Sequence, residues 1–326
     1  MLVLKTDYSG AGLPRYYFSD NNDMLIDPKF KKCVVFVGYR YQDANGATKE
    51  HYGGTAFFLS YPVKPKGQVS YLTTAKHVID GIKAESEKYK AKDKNMIVRI
   101  NKHDGTSGVI ELPLTAWKFH PTEPEHVDVA VTTILNITQK EFDWLSLPME
   151  WAIDKNKIGK RDGFNEGDDV SAIGLFRHHV GNKKNYPIFR TGNIALFPEE
   201  KVYIDKKIGE SEIYLIESRS IKGLSGSPVF VSLNPYYISS EESISQRTGQ
   251  RIFYWLGLVS GHFFTSETDL DFASDENEIK NLNVGISFVI PAEKVVDILN
   301  SDKFIAERAK IESILLAEAA KNISLD

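Results

Sequence analysis

Ser225 lies in Gly223-Leu224-Ser225-Gly226-Ser227-Pro228, directly ahead of the apolar run Val229-Phe230-Val231. A hydroxyl on a tight, glycine-flanked turn is placed as a nucleophile would be. The same turn can aim backbone N–H groups at one point, which stabilising an oxyanion requires. A serine hydroxyl is a weak nucleophile by itself, so it needs a base and a group that orients the base. Taken alone, the hexapeptide reads equally well as a Gly/Ser hairpin before an ordinary strand. Two other stretches supply the missing groups. Thr73-Thr74-Ala75-Lys76-His77-Val78 puts a histidine just after an apolar strand, and Val127-Asp128-Val129-Ala130-Val131 puts an aspartate at the mouth of a buried one. Each has a plain alternative: His77 as a helix cap, Asp128 as a loop acid.

The chain order His77, Asp128, Ser225 is one of three orders in which this constellation occurs. The order with acid and then histidine after the serine fits badly. His262 is the only later histidine, and Glu241 and Glu242 are the only acids between it and Ser225. The order with aspartate before histidine fares no better, because the aspartates before His77 lie in polar, loop-like surroundings. At this point the chain resembles the trypsin-like peptidases of the chymotrypsin fold, nearer their HtrA/Deg-like bacterial branch than the digestive enzymes. The likeness rests on Gly53-Gly54-Thr55-Ala56-Phe57-Phe58, Thr74-Ala75-Lys76-His77-Val78, Asp128-Val129-Ala130-Val131, Gly167-Asp168-Asp169-Val170-Ser171-Ala172-Ile173-Gly174, the Ser225 hexapeptide and Gly285-Ile286-Ser287-Phe288-Val289-Ile290-Pro291. Each piece is short; six in family order, from about residue 33 to 291, are specific together. There is no room for the PDZ domain usual after an HtrA protease domain. The first thirty residues and the last thirty-five match nothing placed.

The resemblance implies a double six-stranded β-barrel and a serine endopeptidase acting on protein or peptide substrates, with no metal and no cofactor. Ser225 would attack the carbonyl, His77 would carry the proton, and Asp128 would hold the imidazole. Backbone N–H groups of Gly223 and Ser225 would form the oxyanion hole. The resemblance also puts the primary pocket between the segment before Ser225 and the strand carrying Ser260, Gly261 and His262. Arg219 stands six residues before the serine, where relatives select basic side chains with an acid. A guanidinium there would favour acidic side chains. The alternative is that Arg219 turns away to Glu217 or Glu212 and leaves a shallow apolar pocket. Leu224 replaces the aspartate with which digestive relatives receive a newly cut N-terminus, so no cleavage of the N-terminus is expected for activity. A protease-fold binding or scaffold protein with little turnover is the rival reading.

Composition fits an ordinary soluble globular chain of 326 residues, 42% hydrophobic and 26% charged. Forty Lys and Arg against 44 Asp and Glu argue against a general nucleic-acid binder. Cys33 is the one cysteine, so no internal disulfide forms, and its apolar neighbours suit packing better than reactivity. Met1-Leu2-Val3-Leu4-Lys5 is too short an apolar run for a signal peptide, and no run reaches membrane-helix length; a cytoplasmic, membrane-free protein is expected. His51, His103, His120 and His126 read as solvated, and the adjacent His178 and His179 as a surface or cleft loop.

The elements that must position the three residues are short strands with turn signals, the pattern of an all-β barrel fold. Residues 1–30 read as an arm, 31–135 as a first barrel lobe, 136–166 as a linker, 167–290 as a second barrel lobe, and 291–326 as C-terminal helices. Strands are expected at 33–41, 52–60, 69–75, 96–101, 108–112, 114–119 and 128–135, then at 168–175, 187–197, 212–219, 227–233, 252–263 and 283–290. Asp43-Ala44-Asn45-Gly46 predicts a hairpin turn. A helix is expected at 77–91, beginning at His77. Trp144 and Trp151 in the linker should pack on the lobes. In the last helix, 303–320, Phe304, Ile311 and Leu315 share a face that Arg308 interrupts, its stem able to lie along apolar surface. That face should pack on the chain's own barrel, with a homo-oligomer contact as the alternative.

Overall fold

The computed structural model describes residues 27–64, 67–89, 95–134, 137–218, 223–233, 236–238, 244–246, 253–265 and 282–323. Strand β1 (Val34–Gln42) turns through Asp43 into β2 (Thr48–Val63), followed by β3 (Gly67–Thr74) and helix α1 (Lys76–Lys88). Strands β4 (Asn95–Asn101), β5 (Ser107–Pro113), β6 (Ala130–Ile134) and the short β7 (Leu147–Pro148) complete the first sheet. Its order is β5-β4-β1-β2-β3-β6, with β7 paired to β2. The sheet curls but leaves β5 and β6 at its two ends, so the first of the two expected barrels is open. The Asp43 turn is the expected hairpin: Asp43 Oδ1 accepts from Asn45 N and Ala47 N at 3.0 and 2.9 Å.

The second half closes fully. Strands β8 (Asp169–Gly174), β9 (Ile188–Leu196), β12 (Tyr214–Glu217), β13 (Pro228–Ser232), β16 (Phe253–Thr265) and β17 (Leu282–Pro291) form a barrel in the order β12-β17-β16-β13-β8-β9. Two hairpins stand outside it, β10 (Val202–Asp205) with β11 (Gly209–Ser211), and β14 (Tyr236–Ile238) with β15 (Ile244–Gln246). Helices α2 (Ala292–Leu299) and α3 (Asp302–Ile323) end the chain. No helix among the described residues is long and apolar enough to cross a membrane.

Strand β13 explains how the halves meet. All five of its residues are buried. Val229 and Val231 fill the barrel, while Phe230 joins the core of the first sheet. A strand covered on both faces reads as an unbroken apolar run. Phe30, in the 3-10 turn Pro28–Cys33, packs its ring 4.9 Å from Phe230 and 5.6 Å from Trp151. Trp144 sits 4.7 Å from Phe58, so both tryptophans pack as expected. Buried Cys33 donates to Phe30 O at 2.9 Å, and burial pushes its thiol pKa up.

Three local readings need correction. Residues 114–119 are not a strand. Pro113, which has no N–H to give a ladder, ends β5, and Leu114–Ala116 form a 3-10 turn. Lys118 then makes a single bridge to Val131. His120 is buried rather than solvated, with Nδ1 accepting from Glu123 N at 3.1 Å and Nε2 3.5 Å from Asp297 of α2. His51 is half-buried and lines a cavity described below.

Candidate active site

His77 is fixed by the junction of β3 with α1. Buried Val78, Ile79 and Ile82 hold the helix on the sheet. A side chain at Gly54 would put its Cβ 2.5 Å from Val78, so the helix approaches β2 this closely only over glycine. Asp128 lies two residues before β6, which pairs with β3, so the two strands deliver His77 and Asp128 to the same end of the sheet. Asp128 Oδ1 accepts from His77 N at 2.7 Å and Oδ2 from His77 Nδ1 at 2.6 Å. The Asp128 side chain is 5% exposed and that of His77 38%, which keeps the acid from water and leaves the base open to its surroundings.

Burial alone would lift the Asp128 pKa, but the His77 charge and hydrogen bonds from His77 and Ser260 outweigh it, and the net direction is down. Burial likewise presses the His77 pKa down, while the Asp128 charge and hydrogen bond raise it further; the result lies above 6.5.

Ser225 belongs to the turn into β13. Gly223 and Gly226 on either side have φ of 107° and 82°, a region that side chains disfavour. Gly226 N donates to Val259 O at 2.7 Å, and Ser227 N to Leu224 O at 2.9 Å. The N–H groups of Gly223 and Ser225 have no acceptor among the described residues. Ser225 Oγ donates to Ser260 O at 3.4 Å rather than to His77, yet Ser225 and His77 line one cavity of about 490 Å³. Leu224 turns its side chain into the barrel core.

Two polar residues take roles that the sequence reading did not give them. Ser260 is the extra residue of a β-bulge: Val259 faces Val289 and Gly261 faces Phe288. A bulge re-aims the side chain it carries, and here Ser260 Oγ donates to Asp128 Oδ2. Its side chain therefore serves the acid, and Ser260, Gly261 and His262 do not line the cavity. Thr55 is the second. Its N donates to Ser225 O at 3.0 Å and its Oγ1 to Gly223 O at 2.8 Å. In turn Leu175 N donates to Thr55 Oγ1 at 2.8 Å. One residue of the first sheet thus pins both carbonyls of the Ser225 turn. The sole local signal is a hydroxyl right after Gly53-Gly54 in an apolar strand. Arg219 and Lys222 lie outside the described residues; Glu212 is engaged by Lys155 at 3.0 Å and by Lys294.

The closed barrel, the curled sheet beside it and the serine turn at their junction decide the architecture. This is the chymotrypsin-type fold. No protein-family model matches the chain, and no curated protein is similar to it in sequence. Solved structures of similar shape include the MamO protease domain from Magnetospirillum magneticum, at 14% identity over 85% of this chain and 100% of that one, TM-score 0.42. Deg5 is 15% identical over 82% of this chain and 87% of its own, TM-score 0.40. Human heparin binding protein is 9% identical over 85% and 95%, TM-score 0.43.

Proposed function

We propose that the chain is a serine endopeptidase that hydrolyses peptide bonds through an acyl-enzyme. The observation that carries this is the 2.6 Å bond from His77 Nδ1 to buried Asp128, with Ser225 on the same cavity as His77. Bonded through Nδ1, the imidazole is fixed in the tautomer that presents Nε2 as a base. Ser225 Oγ attacks the carbonyl carbon and its proton passes to Nε2. The N–H groups of Gly223 and Ser225 donate to the oxyanion. His77 then gives the proton to the leaving amine as the C–N bond breaks, and Asp128 stabilises the imidazolium meanwhile. Water hydrolyses the ester by the same route. Ser225 Oγ rests against Ser260 O at 3.4 Å; the hydrogen bond of a nucleophile to its base commonly tightens only with substrate bound.

A fluorophosphonate probe tests the reading. Covalent labelling at Ser225, absent from Ser225→Ala and His77→Ala, is expected. Unlabelled wild-type protein that also cleaves no peptide would favour the scaffold reading. Full proteolysis by purified Ser225→Ala would end the proposed mechanism.

A further inference from the structure

The cavity that holds Ser225 and His77 has a far end that hydrolysis alone does not explain. It runs along α1 away from β16, past His51, to a wall of Tyr39, Tyr41 and Tyr89. Tyr39 and Tyr89 stack with centroids 6.3 Å apart, and Tyr41 lies 5.4 Å from Tyr89. Across from them stands Arg177, from the loop after β8. Its stem covers the serine turn: a Cβ on Gly223 would lie 2.8 Å from Arg177 Cγ. Its Nη2 reaches His51 Nε2 at 3.4 Å, and no carboxylate pairs with it among the described residues. Burial first, and then the Arg177 charge, lower the His51 pKa. The one carboxylate on the wall, Glu85, already meets Tyr39 Oη at 3.4 Å and Lys88 Nζ at 3.9 Å.

Position assigns this end a part in the reaction. The acyl portion of a substrate stays bonded to Ser225, and the amine portion leaves over His77, which protonates it. Arg177 and the tyrosines line the same cavity as His77 and the α1 residues Gly81, Ile82 and Glu85. We propose that Arg177 selects substrates carrying a carboxylate on the leaving side of the scissile bond, with the tyrosines flanking that segment. This rests on the hydrolase reading of Ser225. A guanidinium offers a planar, bidentate fit to a carboxylate, and no carboxylate among the described residues takes up that of Arg177. The carboxylate comes from an Asp or Glu side chain or from the free end of a peptide.

The experiment uses the full chain and a peptide library in which each position after the cleaved bond is Glu or Gln, ending in a free carboxylate or an amide. Wild type is read by kcat/KM and Ser225→Ala by fluorescence anisotropy. A carboxylate preference of about fivefold to tenfold is expected. It should disappear in Arg177→Gln and return in part in Arg177→Lys, with melting temperatures checked for all. Preference for Glu in amidated peptides identifies the side chain; preference for the free acid in Gln peptides identifies the terminus. An equal response to all four classes, or a preference unchanged in Arg177→Gln, overturns the proposal. Fluorophosphonate labelling separates this from the hydrolase reading, since the probe has no peptide on the leaving side. Labelling without carboxylate preference sinks this inference alone. Arg177-dependent binding by Ser225→Ala, with wild type unlabelled, sinks the hydrolase reading and with it the leaving-side assignment, leaving Arg177 as a carboxylate-binding residue.

Discussion

On the proposed mechanism His77 would tie catalysis and stability to pH in opposite directions. Its imidazole must be neutral to accept the Ser225 proton, and its pKa lies above 6.5. Turnover, as kcat/KM, should therefore rise with pH through a value above 6.5. A pKa raised by folding adds stability that is complete below the unfolded value and disappears as pH climbs through the folded one. Calorimetric melting should thus fall over the same interval in which turnover rises. Asp128→Asn should remove that coupling and lower kcat by about 10⁴-fold, because the amide favours the wrong tautomer. Ser260→Ala should act more mildly. It takes one donor from a buried carboxylate, and a loss of about tenfold in kcat is expected. If Ser260→Ala left both turnover and its pH profile unchanged, its hydroxyl would have no positioning role.

The packing of α3 turns on one cation. Arg308 is buried, donates to Leu299 O at 2.7 Å and to Tyr71 Oη at 3.3 Å, and lies 3.9 Å from the Tyr61 ring centre. It therefore completes the face formed by Phe304, Ile311 and Leu315 instead of breaking it. Arg308→Met should destabilise the chain by about 2 kcal/mol in urea unfolding, since it strands the Leu299 carbonyl. The same contrast separates what was legible in the sequence from what was not. His77, Asp128 and Ser225 each stand within a few residues of an apolar strand, so local pattern placed them. The Thr55 and Ser260 contacts link residues 168 and 132 apart, and no local pattern encodes a partner at that distance. His120 looked solvated because its neighbours are prolines and acids; its burial comes partly from Asp297, 177 residues on. Leu114-Thr115-Ala116-Trp117-Lys118-Phe119 is apolar enough to read as a strand, but a turn begins where Pro113 closes β5.

The two halves share a core and also a charged seam. Lys294 on α2 meets Glu212 and, at 3.4 Å, Glu123 in the loop that leads to Asp128. Lys294 and then Lys155 hold the Glu212 carboxyl down to about 2. The stability this adds is present above about pH 4.5 and is lost as pH falls towards 2. Lys294→Met should flatten the acid limb of the melting curve, and an unchanged limb would show that the seam adds nothing.

Thr55 has a consequence for timing. It is made 170 residues before Ser225, and its two hydrogen bonds hold the Gly223 and Ser225 carbonyls of the turn from which the oxyanion donors would come. A nascent chain still emerging from the ribosome therefore carries a half-built cleft without a nucleophile. A lone C-terminal half would carry a nucleophile without its base or its mould. Expressed as two pieces divided between Gln139 and Leu145, neither should react with a fluorophosphonate, and reactivity should appear only when they are mixed. On the proposed mechanism, the order in which the residues are made would keep an unfinished chain on its polysome from cutting peptide bonds.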